Sequence, residues 1–220
     1  MNIFDILGPI MVGPSSSHTA GAVRIGLMAR KLLSDKPVKA TIGLYGSFAA
    51  TGAGHGTDRA IVAGLLGMQP DDMRVPDSFS VAKSEGLRYE IGEIEVKDAH
   101  PNTALIELTG ESGRAITVQA SSVGGGRIMV NRLDGIEVNC SFEMHTLIVH
   151  NDDMPGHIST VSGMLAASNI NIATMSVYRH KRGGNAIMVV EVDHDIPEAI
   201  LAKMRACPGI SKVTYVGKED

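Results

Sequence analysis

The chain has no tryptophan, only 4% aromatic residues and no run of basic residues. Base stacking needs aromatic side chains and phosphate binding needs clustered Lys and Arg, so we do not expect nucleic acid as a partner. The net charge of -4 is mild, and 44% of the 220 residues are hydrophobic, which is enough for a proper core. One large domain or two small ones are expected at this length.

The sequence also lacks an apolar run of membrane-spanning length, and residues 1–7 lack the charged and apolar regions of a signal peptide. It contains two cysteines, Cys140 and Cys207, which form neither a disulfide framework nor a metal-binding motif. We therefore predict a cytoplasmic protein that has no membrane contact and binds no metal through its own residues.

Hydroxyl groups and a histidine are concentrated in the stretch Gly13-Pro14-Ser15-Ser16-Ser17-His18-Thr19. Its first two residues favour a sharp turn, and Ser16 or Ser17 is a favoured N-cap for a helix predicted over about residues 20–33. A helix N-terminus attracts carboxylate or phosphate, because its N–H groups lack partners and the helix dipole is positive there. An ordinary N-cap in a surface loop is the alternative, but capping does not require an imidazole such as that of His18.

A second histidine lies in the glycine-rich stretch Thr51-Gly52-Ala53-Gly54-His55-Gly56-Thr57-Asp58, which follows a strand predicted at residues 38–44. Glycines allow positive φ and a close approach of the backbone to a ligand, so we predict a loop. Thr57 or Asp58 can cap the helix that follows. His55 is in the ordinary interpretation a solvated loop residue, although a second histidine-bearing loop makes coincidence less convincing.

A third stretch, Ser121-Ser122-Val123-Gly124-Gly125-Gly126, lies among several short β runs between residues 88 and 142. Three glycines prevent a regular strand, and a flexible hairpin connection is the usual role of such a segment. Residues 68–86 are polar and broken by two prolines, which indicates a loop with at most a short helical turn. The predicted fold class is therefore α/β (α+β), with a mixed or antiparallel sheet in this first domain.

From residue 144 onward the pattern predicts a second domain with the order βαββαβ, the ferredoxin-like split βαβ. Its helix at residues 157–167 follows the turn Asp153-Met154-Pro155-Gly156, and Asn169-Ile170-Asn171-Ile172 leads into the second strand. Both segments resemble those of an ACT domain, so we predict domains at 1–143 and 144–220. The resemblance implies self-association and an amino-acid effector site at Asp153, Gly156, His157 and Asn169. A purely structural, dimerising unit remains the alternative.

The first two motifs, in this order and with Tyr45-Gly46-Ser47 between them, resemble the beta subunit of iron–sulfur-dependent L-serine dehydratase. The likeness runs from Ile3-Phe4-Asp5 to the end of the chain. Single-chain members of that family carry Lys where Ala53 stands and a second His where Gly56 stands, which leaves His55 in place. The expected reaction converts L-serine to pyruvate and ammonia.

The resemblance also implies roles for particular residues. It makes His55 the catalytic base, and an unperturbed histidine pKa near 6.5 suits that task. It makes His18 a second active-site residue that binds or positions the substrate carboxylate. The substrate-binding residues that it implies are Ser15, Ser16, Ser17, Thr19, Thr57 and Ser122.

Members of this family use a [4Fe-4S] cluster as the Lewis acid that takes the substrate hydroxyl. Cysteine-ligated clusters usually require three or four thiolates, and this chain has two cysteines. The resemblance therefore implies that the ligands come from a partner, an alpha subunit, and that this chain completes the active site.

Two other classes of protein compete with this interpretation. A non-catalytic, amino-acid-sensing regulatory subunit is one, because the first domain is similar to the allosteric substrate-binding domain of some 3-phosphoglycerate dehydrogenases. A free-standing ACT scaffold is the other. An amino-acid sensor requires neither histidine-bearing stretch, and a scaffold leaves all three glycine- and serine-rich stretches unexplained.

Overall fold

The structure is a computed structural model that describes residues 11–13 and 15–218. Of residues 52, 53 and 55 it describes the backbone alone. The chain divides into two compact units, and the division falls between Asp134 and Gly135. Among the described residues, no helix combines the length and the apolar character needed to cross a membrane.

The first unit combines helices with a β-sheet. Its helical elements are a π-helical turn at Ser16–Gly21, α1 at Ala22–Leu33, α2 at Ser47–His55, α3 at Thr57–Leu65, a 3₁₀ turn at Val75–Asp77 and α4 at Ser78–Glu85. The strands of this unit are β1 at Pro37–Gly46, β2 at Arg88–Glu93, β3 at Asn102–Gly110, β4 at Ala115–Gly124 and β5 at Arg127–Leu133. They lie in the order β2-β1-β3-β4-β5. Strands β1 and β2 are parallel and β1, β3, β4 and β5 pair antiparallel, which confirms the predicted mixed sheet.

Alternate residues of the strands supply the core of the first unit. Side chains of a strand point to opposite faces in turn, so a period of two buries one face. The buried set in the central strands is Ala40, Ile42 and Leu44 of β1 and Ala104, Ile106 and Leu108 of β3. Helix α1 packs against β3 and β4, and its own side chains are buried along most of its length.

Helices α1 and α3 approach each other closely at two glycines. A Cβ on Gly64 would lie 2.0 Å from the carbonyl oxygen of Val23, and one on Gly26 would lie 2.2 Å from that of Ile61. No side chain fits at such distances, so glycine is required at both positions. Because α1 continues directly from the π-helical turn, this contact also helps to fix the turn relative to α3.

The loop predicted at residues 51–58 is wrong, because α2 continues to His55 and α3 begins at Thr57. Each glycine inside a helix costs about 1 kcal/mol relative to alanine. The fully buried ring of Phe48 in α2 contributes hydrophobic burial of about 1.5–3 kcal/mol that offsets this cost. The turn between the two helices is made by Gly56, whose φ is +70°.

The third stretch also differs from its prediction. Ser121 and Ser122 belong to β4, which continues to Gly124 and pairs with β3 and β5. Only the last three glycines have positive φ, and they form the hairpin turn into β5. Cross-strand pairing therefore extends the strand through the serines, and within this stretch positive φ is confined to the glycines.

The second unit contains a four-stranded antiparallel sheet with two helices. The unit begins with the strand β6 at Ile136–Cys140. The four-stranded sheet and its helices then follow as β7 at His145–Asp152, α5 at His157–Ala167, β8 at Ile172–Arg179, β9 at Asn185–Val192, α6 at Glu198–Arg205 and β10 at Ile210–Val216. The strand order β10-β7-β9-β8 confirms the predicted ferredoxin-like arrangement. Its core joins both helices to the sheet through buried side chains such as Val149, Leu165, Val190 and Met204.

Candidate active site

The serine-rich stretch forms a compact turn before α1. Ser15, rather than the predicted Ser16 or Ser17, is the N-cap, and its Oγ accepts a hydrogen bond from the backbone N–H of His18 at 3.1 Å. The chain then makes a π-helical turn, a rare geometry that is frequent at functional sites. Ser15, Ser16, Ser17 and His18 are half-buried in this turn, whereas Pro14 lies outside the described residues.

The imidazole of His18 is held through both of its nitrogens. Nδ1 lies 3.1 Å from Oγ of Ser17 and 3.4 Å from Oγ of Ser15. Nε2 lies 3.0 Å from Oγ of Ser47, the first residue of α2. The edge of the ring contacts Phe48, with 5.4 Å between centroids and 67° between planes. Two elements that are 29 residues apart in sequence therefore fix one titratable side chain.

Ser47 is itself fixed by the backbone around it. Its N–H donates to the carbonyl of Pro101 at 2.8 Å. The preceding Gly46 has a φ of +59°, and a Cβ there would lie 2.7 Å from the same carbonyl oxygen. Glycine thus permits the end of β1 to pack against Pro101. We did not assign a role to Ser47 from the sequence, although its place directly after a glycine at a strand end is the signal that marks it.

Three predicted substrate-binding residues carry buried hydroxyls around this turn: Thr19, Thr57 and Ser122. Their oxygens have no hydrogen-bond partner within residues 11–13 and 15–218. Thr19 belongs to the turn, a Cβ on Gly21 would lie 2.1 Å from Oγ of Ser122, and the helix that begins at Thr57 packs against the turn. A buried hydroxyl without a partner costs about 1–3 kcal/mol, so three of them around one turn are consistent with a functional site.

The glycine hairpin after β4 is tied to α1. Nη1 of Arg24 donates to the carbonyl of Gly126 at 3.0 Å, which links the helix to a turn that has three positive-φ glycines. Sequence reasoning missed this contact, because an arginine on a helix face is ordinarily a solvated residue. The bond brings the end of β4, and with it Ser122, to the same side as the His18 turn.

His55 lies at the C-terminal end of α2, and its side chain is not among those described. Thr57 and Asp58 follow within α3, and neither is the predicted N-cap, because Gly56 occupies that position. Gly56 adopts a left-handed conformation, which glycine tolerates best. Because glycine has no side chain, α3 begins without a side-chain capping hydrogen bond. The catalytic role of His55 stays a prediction.

In the second unit, Asp153 anchors the hairpin between β8 and β9. Its Oδ2 accepts hydrogen bonds from the N–H of Gly183 at 2.9 Å and from Nη1 of Arg179 at 2.7 Å. These two donors, with Gly183 first, hold the pKa of the Asp153 carboxyl below its usual value. The carboxylate therefore has a structural task here in addition to any contact with an effector.

The other predicted effector residues lie at the two ends of α5. Gly156 is its N-cap, with a φ of +107°, and the ring of His157 lies close to Gly209. Asn169, with a φ of +56°, closes the C-terminal end through its N–H bond to the carbonyl of Ala166. A helix of eleven residues is about 16 Å long, so Asn169 is not brought together with the other three in one copy of the chain.

The cysteines do not fit a [4Fe-4S] cluster. Burial raises the pKa of the Cys140 thiol to about 12, and Sγ of Cys207 donates to the carbonyl of Lys203. Across the described part of the chain, no group of three or more His, Cys, Asp or Glu side chains could hold a metal ion. Two thiols fall short of the three or four that such a cluster requires.

A groove of about 300 Å³ lies over β1, β2 and β3, and no residue of the His18 turn lines it. Its lining combines backbone and side chains of Thr41, Gly43, Glu90, Gly92, Leu105 and Glu107. None of the predicted site residues lines it. The groove therefore adds no support to the predicted substrate site.

Comparison with known proteins decides the family. Residues 2–87 match the family model "Serine dehydratase beta chain", and residues 145–209 match the ACT domain model. The chain is 40% identical to the probable L-serine dehydratase beta chain of Bacillus subtilis, over 98% of this chain and 97% of that one. The chain belongs to the L-serine dehydratase beta-chain family. The L-serine dehydratase beta chain of Peptoniphilus asaccharolyticus is 37% identical, over 97% of this chain and 96% of its own length.

One similar protein comes from another enzyme class. The D-3-phosphoglycerate dehydrogenase of Synechocystis is 25% identical over 86% of this chain and 34% of its own length. The match to the ACT model confirms the predicted C-terminal domain type. The predicted boundary after residue 143 lies between the compact division after Asp134 and the start of the ACT match at residue 145, and it stays a prediction.

Proposed function

We propose that this member of the L-serine dehydratase beta-chain family is one half of a cytoplasmic, two-subunit enzyme that deaminates L-serine to pyruvate and ammonia. The observation that carries the proposal is the imidazole of His18, which is held between Ser17 and Ser47 at a turn rich in hydroxyls. An imidazole fixed through both nitrogens suits a defined role in binding and chemistry better than it suits a solvated surface.

The turn before α1 is the proposed binding site for the substrate carboxylate. Ser15, Ser16, Ser17 and Thr19 supply hydroxyls, and the turn supplies backbone N–H groups at the start of a helical segment. His18 contributes a further donor at the same place. Thr57 and Ser122 are proposed to complete the substrate contacts, since their buried hydroxyls are unpaired within the described residues.

In this proposal, His55 is the base that removes the Cα proton of serine. That proton is weakly acidic, so its removal needs a base whose pKa lies near the working pH, and histidine meets this condition. The cluster would belong to an alpha subunit, where it would act as the Lewis acid for the leaving hydroxyl. Two cysteines in this chain, one of them buried with a raised pKa, support that assignment to the partner.

The test is exchange of the serine Cα deuteron with solvent in the assembled complex. His55→Asn keeps roughly the size of the side chain but removes the base, so exchange and turnover should fall by about 10²–10⁴ with substrate binding largely retained. His18→Asn should weaken binding at least as much as turnover. Exchange at the wild-type rate in the His55→Asn complex would show that another group is the base.

The similarity to a phosphoglycerate dehydrogenase favours a second candidate, a non-catalytic regulatory subunit that senses an amino acid. An assembled complex in which neither histidine substitution changes turnover would support it. The ACT domain is a proposed effector site and self-association unit in either case. Calorimetric titration of the full chain with L-serine, compared with a variant that carries His157→Ala, tests the effector site.

A further inference from the structure

A serine outside the predicted binding set lies within hydrogen-bond distance of the His18 ring. Ser47 belongs to the Tyr45-Gly46-Ser47 motif, but none of the proposed roles in substrate binding or catalysis involves its hydroxyl. Its Oγ lies 3.0 Å from Nε2 of His18, and its own backbone is held by Pro101. The contact joins the turn before α1 to the start of α2.

The contacts at the two ring nitrogens of His18 differ in what they can fix. Ser17 is the neighbour of His18 in sequence, so its contact with Nδ1 moves with the turn itself. Ser47 follows β1, where Gly46 adopts a positive φ to pack against the carbonyl of Pro101. A bond to Nε2 from the first residue of α2, directly after β1, therefore sets the direction of the ring relative to the core, which a bond inside the turn cannot do.

Phe48 also restricts the movement of the His18 ring. Phe48 is fully buried and meets the edge of the imidazole at 5.4 Å between centroids. This contact restricts the ring on one side, while the hydroxyl of Ser47 supplies a directional bond in its plane. A serine hydroxyl can donate or accept, so the bond holds whichever tautomer the site selects.

We propose that Ser47 is a positioning residue that fixes the ring orientation of His18. The proposal rests on the active-site role of His18 given above, but its first test does not require activity. The full chain labelled with ¹⁵N-histidine reports the two ring nitrogens of each histidine, and His18→Asn identifies the His18 signals. Substitution of Ser47 by alanine removes its hydrogen bond to Nε2 and leaves the hydroxyls of Ser15 and Ser17 beside Nδ1.

In Ser47→Ala the Nε2 signal of His18 should shift, because this nitrogen loses its hydrogen bond to the Ser47 hydroxyl. Ser47→Thr keeps a hydroxyl and should restore much of the wild-type spectrum. Ser84→Ala is the matched control, since its exposed hydroxyl bonds only to the carbonyl of Val81 within α4 among the contacts described, and it should leave the His18 signals unchanged. A Ser47→Ala spectrum that superimposes on the wild type would overturn the proposal.

Kinetics of the complex with its partner then separate this proposal from the function itself. Ser47→Ala should lower kcat/KM for L-serine about tenfold, the factor that about 1.4 kcal/mol produces, and Ser47→Thr should recover most of it. Altered His18 signals with unchanged kinetics would refute the role of His18 and leave the Ser47 contact intact. Reduced activity with unchanged signals would refute positioning by Ser47.

Discussion

Replacement of Gly64 by alanine should destabilise the first unit through one backbone contact. The added Cβ would lie 2.0 Å from the carbonyl oxygen of Val23, 2.6 Å from the N atom of Leu27 and 2.9 Å from Cα of Gly26. Ordinary contact begins near 3.4 Å, so the shortest distance falls short by 3.4 − 2.0 = 1.4 Å. All three opposing atoms belong to the backbone of α1 and cannot turn aside as a flexible side chain would.

The magnitude follows from two opposing terms. Extra volume in a packed core typically costs 1–3 kcal/mol, and a clash with a helix backbone belongs at the upper end, about 3 kcal/mol. Alanine in place of glycine favours the helix by about 1 kcal/mol. The free energy of unfolding should therefore fall by about 2 kcal/mol. Since α1 continues from the turn that carries His18, the displacement should also disturb the candidate site.

Urea unfolding followed by circular dichroism measures the loss, and hydrogen exchange in α1 and α3 assigns it to the first unit. Gly163→Ala is the matched control, because an added Cβ on this helical glycine in α5 would meet no described atom within 4 Å beyond its chain neighbours and the backbone of its own helix. That variant should be as stable as the wild type or more stable by up to about 1 kcal/mol. A Gly64→Ala chain as stable as the wild type would refute the steric argument.

Two further predictions concern groups whose pKa is shifted. The Asp153 carboxyl should titrate below its usual 3.8, because the N–H of Gly183 and the guanidinium of Arg179 stabilise its charge. Its contribution to the hairpin is then present above about pH 4 and lost as the pH falls through the folded-state pKa; a ¹³C-carboxyl NMR value at or above 3.8 would contradict this. In the native chain a thiol reagent should modify half-exposed Cys207 and spare Cys140, which is buried and has a pKa of about 12. Equal rates for the two thiols before unfolding would exclude the described burial of Cys140.

The sequence predicted the second unit closely because its signals are local. Helix α5 has the predicted bounds of 157–167, and the hairpin between β8 and β9 lies at the predicted turn. Alternating hydrophobic residues, a turn rich in glycine and a helical stripe were sufficient there. Each of these patterns lies within a few residues of the element that it predicts.

The glycine-rich stretch after Tyr45 was mispredicted for the opposite reason. Its composition indicates a loop, but burial of Phe48 stabilises a helix over residues 47–55, which packs against β1 and β3. The contact between Ser47 and His18 depends on the same packing and spans 29 residues, so no local pattern could reveal it. Likewise, the match between Gly26 and Gly64 appears only when two helices are packed together.

The most direct test of the central claim is pyruvate formation from L-serine by anaerobically prepared proteins, with iron measured on the same samples. The samples are this chain alone, a cluster-bearing partner alone, and the two combined. We predict iron in the partner and in the complex, no stoichiometric iron in this chain, and turnover in the complex alone. Stoichiometric iron and sulfide on the isolated chain, or turnover by either protein by itself, would contradict the division of the active site between two subunits.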